Sequence, residues 1–151
     1  MRPYRFFLFL MVLTFQVCFA QEKATPRTVI NLPRPAGLAQ VPFSDGVLVG
    51  NTLYISGRLG LDPKTGSVPV DVDEEIKLLL DAVGNVLAEA RMSMDDLVSV
   101  QIFCTDLGLY DKFNKAYRER FKADFPARAF IGASALLRSA HFELLGVAVK
   151  G

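Results

Sequence analysis

Arg128 follows Phe125-Pro126-Ala127 and precedes Ala129-Phe130-Ile131, so a guanidinium enters an apolar run. A charge in such a run is costly unless an anion pairs with it. Two partners fit: an internal carboxylate, or the carboxylate of a bound substrate, which the planar donor fork suits. Glu143 poses the same question between Phe142 and Leu144-Leu145. It is either the partner of Arg128 or a base that orients water. Ser56 stands just before Gly57 and Arg58 at the end of a β-rich run, and on its own it reads as a turn serine. Asn114 is one position off an aromatic stripe and on its own reads as a surface polar group.

Other chemistries find little support. Gly57 and Gly60 lack the spacing of a phosphate-binding loop. His141 is the only histidine, beside Phe142 in an apparent strand, and reads as structural or surface. That leaves no Ser-His-Asp arrangement and no site built from several imidazoles. Two cysteines exclude a disulfide-rich scaffold and a multi-cysteine zinc site. Asp95-Asp96 belong to a turn or a short helical start after Ser93, so no metal signature is present. With 17 Lys+Arg against 16 Asp+Glu, the chain has no basic footprint for nucleic acid.

The elements that must position these residues fit one domain, since the chain has 151 residues. At 51% hydrophobic and 22% charged, it has enough apolar residues for a core. The start is set apart. Arg2 and Arg5 precede an uncharged run, Phe6 to Phe15, and Cys18-Phe19-Ala20 offers small residues before Gln21. This is the layout of a cleaved signal peptide over 1–20, and it implies export to the periplasm or medium. A spanning helix needs about 20 apolar residues, so a lasting membrane anchor is disfavoured. Phe15-Gln16-Val17 before Cys18 also lacks the form of a lipobox. Residues 21–151 would carry 15 basic and 16 acidic residues, with Cys104 as the one thiol, in an apolar run that suits burial.

Residues 21–36 read as an extended lead-in, with a short strand at Thr28–Leu32. Gly46–Val49 and Thr52–Ser56 around Gly50-Asn51 read as a hairpin, and Asp62-Pro63-Lys64-Thr65-Gly66 as a turn. Ile76, Leu79, Leu80, Val83, Leu87 and Ala90 mark a helix over Asp73–Met92. Leu97–Thr105 reads as a buried strand. Tyr110, Phe113, Tyr117 and Phe121 mark a second helix over Leu109–Lys122. Arg128–Ser134 and Ala140–Val149 read as closing strands. The order implies an α+β domain, a mixed sheet with two helices on one face. Its other face is apolar and open, which predicts an oligomer.

Four stretches in order resemble the RidA/YjgF family of enamine/imine deaminases. They are Pro42-Phe43-Ser44; Val49 to Gly57 with Asp62 to Gly66; Asp111 to Tyr117 with its F-N-x-x-Y core; and Phe125-Pro126-Ala127-Arg128 followed by Phe142 to Val149. The resemblance covers about residues 37–150, nearly all of a domain at 37–151. It implies a chorismate-mutase-like fold, a homotrimer with ligand sites between subunits, and hydrolysis of 2-imino acids and enamines such as 2-aminoacrylate. No metal or organic cofactor is implied. Arg128 matches the arginine that binds the substrate carboxylate, and Glu143 the carboxylate near the attacking water. Ser56 and Gly57 match the pocket pair, and Asn114 the helix asparagine. Phe43 stands where active members commonly have tyrosine, Phe130 where they commonly have cysteine, and Leu145 where a second carboxylate often lies. These changes imply a shifted substrate range or a weak enzyme. A non-catalytic binder of small carboxylates is the competing expectation. Endoribonuclease activity, an old label on the family, is disfavoured by the charge balance. Chorismate mutase activity would rest on fold alone.

Overall fold

The stripe Ile76, Leu79, Leu80, Val83 and Leu87 is buried along helix α1, Val72–Glu89. The computed structural model that shows this describes residues 25–33 and 41–151. The expected signal peptide and most of the lead-in lie outside the described residues. Asp71 caps α1, its side chain accepting the Asp73 N–H at 2.8 Å. The helix ends earlier than the pattern predicts, because the chain turns out of it in a Schellman motif. The Arg91 N–H bonds Ala88 O at 2.8 Å and the Met92 N–H bonds Leu87 O at 2.9 Å. Arg91 takes the left-handed position at φ 57°. Glycine usually marks that position, so the sequence held no sign of the stop.

Among the described residues, six strands form one sheet: β1 (Arg27–Ile30), β2 (Gly46–Val49), β3 (Thr52–Leu59), β4 (Leu97–Cys104), β5 (Ala127–Gly132) and β6 (Phe142–Val149). Their order is β1-β2-β3-β6-β4-β5. The β4–β5 pair is parallel and the others are antiparallel. The last strand in sequence therefore lies near the middle of the sheet. The hairpin turns at Gly50, with φ 61°. β1 extends the sheet edge and ends at Ile30, two residues short of the expected Leu32. β5 and β6 are likewise shorter than their expected spans.

Helix α2, Tyr110–Arg118, is shorter than expected at both ends. A 3-10 turn at Leu107–Leu109, capped by Asp106, takes its first residues. Phe113 and Tyr117 are buried, and Phe113 meets Phe142 at 5.0 Å and Phe130 at 5.6 Å between ring centroids. Those contacts place α2 on the same sheet face as α1. Val29, Val47, Tyr54 and Val147 pair in register across the opposite face, and Val29 and Tyr54 are about half exposed. Leu145 and Ala129 flank Gln101 on that face. This is the apolar open face that the element order predicts.

Glu75 is completely buried in the first turn of α1. Its Oε1 accepts the N–H groups of His141 at 2.7 Å and Phe142 at 3.2 Å. Its Oε2 meets His141 Nδ1 at 2.7 Å. His141 is thus structural, as expected, and Glu75 is its partner. A Cβ at Gly60 would collide with the Glu75 backbone, so glycine is what lets α1 approach β3 this closely. Glu75→Ala leaves two buried N–H groups without an acceptor. It is expected to lower stability by about 3 kcal/mol in urea unfolding. A loss under about 1 kcal/mol would show that water replaces the carboxylate.

Candidate functional site

Arg128 sits at the start of β5, in register with buried Val100, and so projects toward the helices. Its Nη2 donates to Asn114 Oδ1 at 2.7 Å. Its guanidinium lies 4.8 Å from the Tyr117 ring centroid, 5.9 Å from Tyr110 and 5.8 Å from Phe130. Tyr110 and Phe130 meet edge to face at 5.0 Å. Among the described residues no carboxylate pairs with Arg128. The internal ion pair that the sequence left open is not formed. Asn114 is only 5% exposed, which corrects its reading as a surface group. Its neighbours Phe113 and Tyr117 turn that side of α2 inward, and Arg128 supplies the donor it needs there. A cleft of about 250 Å³ opens over Asn114 and Arg128.

Glu143 projects to the other side. It pairs with Phe103 in β4 and alternates with buried Phe142 and Leu144, which face the helices. A break in the ladder between Ile55 and Arg58 bulges β3 at Ser56 and Gly57. The Glu143 carboxylate lies where a Cβ on Gly57 would be. Ser56 donates from both N–H and Oγ to Asp45 O, each at 3.1 Å. Asp45 is buried, takes the Leu32 N–H at 2.7 Å and forms an ion pair with Arg58. That pair ties the lead-in to the bulge. Phe43, Ser56, Gly57 and Glu143 line a second cleft of about 1020 Å³, with Phe43 half exposed at its wall.

The expected residues therefore fall into two groups. Arg128, Asn114 and Phe130 stand on the helix face, while Glu143 leaves the sheet on the opposite face beside Ser56 and Gly57. The two clefts share no lining residue. Within one chain the sheet separates Arg128 from Glu143.

Two further groups were not singled out as functional. Tyr117 read only as part of the aromatic stripe, yet its hydroxyl is buried without a hydrogen-bond partner. Burial pushes it up to about 12, against the opposing pull of Arg128. Burial also pushes the Cys104 thiol up, and its Sγ lies 3.0 Å from Asp106 O. Such a thiol is a poor nucleophile. No group of three His, Cys, Asp or Glu among the described residues could hold a metal ion.

Known proteins match this arrangement over most of its length. The Endoribonuclease L-PSP family matches residues 34–150. The chain belongs to that family, the RidA/YjgF family. A human relative named 2-iminobutanoate/2-iminopropanoate deaminase is 36% identical over 126 residues, 83% of this chain and 91% of its own. A RutC family protein of Sulfurisphaera tokodaii is 33% identical over 79% of this chain and 93% of its own. The structure of E. coli TdcF with bound serine superposes with a TM-score of 0.75. It is 28% identical over 82% of this chain and 99% of that one. The α+β fold agrees with these RidA relatives.

Gly57→Ala is expected to drive the Glu143 carboxylate to another rotamer, visible in a crystal structure of the variant. An unmoved Glu143 would mean that the bulge yields instead. Tyr117→Phe removes an unsatisfied buried hydroxyl, so stability at pH 7 should hold or rise by about 1 kcal/mol. Wild-type Tyr117 keeps its proton above the unfolded value, and its share of stability is lost as pH rises from 10 to about 12. Denaturant unfolding across that range should fall less steeply in Tyr117→Phe. Equal slopes would refute the burial of the hydroxyl.

Proposed function

We propose that the protein hydrolyses 2-imino acids and their enamine tautomers to 2-oxo acids and ammonia. The observation that carries this is Arg128, held by Asn114 and walled by aromatic rings, with no carboxylate paired to it among the described residues. A buried-edge guanidinium so placed is an open seat for a substrate carboxylate. The human relative's name gives the reaction class, and TdcF holds an amino acid in its structure.

The chemistry is modest and balanced. The substrate carboxylate docks on Arg128, which fixes the C=N carbon beside a water. Glu143 orients that water and takes its proton as the C–O bond forms. The carbinolamine regains a proton on nitrogen and expels ammonia, leaving the C=O. Ser56 and Gly57 frame the ligand near Glu143, with Phe43 and Phe130 as walls. Phe130 narrows the clamp side of the pocket.

Arg128 and Glu143 lie on opposite sheet faces, so a second copy completes the site. Three copies in a closed ring would set the Arg128 cleft of each against the Glu143 cleft of the next. The row Val29, Val47, Tyr54 and Val147 gives the apolar surface that such a ring would cover. The charged start and apolar run at 1–20 support export of this assembly.

The test generates 2-imino acids with an amino-acid oxidase and traps the remaining imine with semicarbazide. Wild type should speed imine loss, and Arg128→Ala should lower kcat/KM by about 100-fold, as for removal of one partner of a desolvated charge pair. Binding of 2-oxo acids without any imine turnover would replace this reading with a carboxylate-binding role.

A further inference from the structure

The cleft over Arg128 carries a second guanidinium. Arg118 lines it, four residues after Asn114 on α2. Residues four apart on a helix are stacked neighbours, with Cβ atoms about 5–6 Å apart. Asn114 bonds Arg128, so Arg118 stands one helical turn from the clamp. None of the residues lining this cleft is acidic. Arg118 forms no ion pair among the described residues, whereas Arg120, two positions on, is paired with Asp81. The same lining includes the aromatic rings of Tyr117 and Phe125. A small cleft lined by two cations and aromatic rings, with no acidic lining residue, favours a ligand that carries two anionic groups.

We propose that Arg118 is a specificity-determining residue and that the preferred substrate is a dicarboxylate, the imine of an acidic 2-amino acid. Its 1-carboxylate sits on Arg128, its methylene carbons lie against Tyr117 and Phe125, and its side-chain carboxylate meets Arg118. This rests on the imine-hydrolase reading for the reaction, but not for the binding. Water adds to the C=N carbon and ammonia leaves as before, so the product is a 2-oxo dicarboxylate. The second carboxylate takes no part in the bond changes. The attraction between exposed charges is screened by salt, so the preference belongs to low ionic strength.

The experiment compares two stable product-like probes, 2-oxoglutarate and 2-oxobutanoate, by calorimetry on the full assembled protein. Turnover is measured in parallel on the imines of glutamate and 2-aminobutyrate. Wild type should bind 2-oxoglutarate about fivefold more tightly at low salt, the scale of one exposed ion pair. Arg118→Gln should remove that ratio, and Lys115→Gln, the same charge change on the same helix, should keep it. The KM ratio of the two imines should follow the same pattern. Equal affinities in wild type, a preference that survives Arg118→Gln, or no binding of either probe would overturn the proposal. A binding preference with no turnover on any imine would sink the hydrolase reading and leave the dicarboxylate site standing. Turnover without preference would do the reverse.

Discussion

A buried carboxylate that must find hydrogen-bond donors governs this fold. Burying the Glu75 carboxyl without hydrogen-bond donors would be costly, and the chain supplies them from one place, the entry to β6. That contact joins the start of α1 to the strand that both halves of the sheet need. Once Phe142 is fixed there, its ring meets Phe113, and α2 is set against the sheet. α2 in turn carries Asn114, which aims Arg128. Glu143 follows Phe142 immediately and leaves on the other face. Both halves of the site thus descend from the same anchoring point.

The separation of Arg128 from Glu143 has a physical logic. A guanidinium and a carboxylate within reach of each other would pair, and each would then be spent. With the sheet between them, Arg128 and Glu143 of one chain do not pair. The bulge at Ser56-Gly57 serves the carboxylate alone, since a side chain at Gly57 would occupy its place. Asp45 and Arg58 stiffen that bulge from behind and hold the lead-in to it.

Much of this was legible in the sequence. The stripes at Ile76–Leu87 and Phe113–Tyr117, the Gly50-Asn51 hairpin and the β-branched run at Leu97–Cys104 each carry a local period that reports their element. Arg128 and Glu143 stood out because charge in an apolar run demands a reason. What was hidden is of another kind. Asn114 is buried because of a partner 14 residues away, and Glu75 because of one 66 residues away. No local pattern encodes such pairs. The early stop of α1 was hidden too, since Arg91 occupies a left-handed position that glycine would have announced. Two more left-handed residues, Arg138 and Ser139, precede β6, at φ 59° and 56°. They are equally silent in the sequence.

The order β1-β2-β3-β6-β4-β5 has a consequence for how the chain reaches its native state. The final strand is the seam between a meander of early strands and the later β4–β5 pair. Until residues 142–149 arrive, β3 and β4 each present an unpaired edge with apolar side chains on both faces. Without residues 142–149 the sheet cannot close, because β6 alone joins β3 to β4. Such long-range closure slows folding and lengthens the time that the edges stay open to other chains.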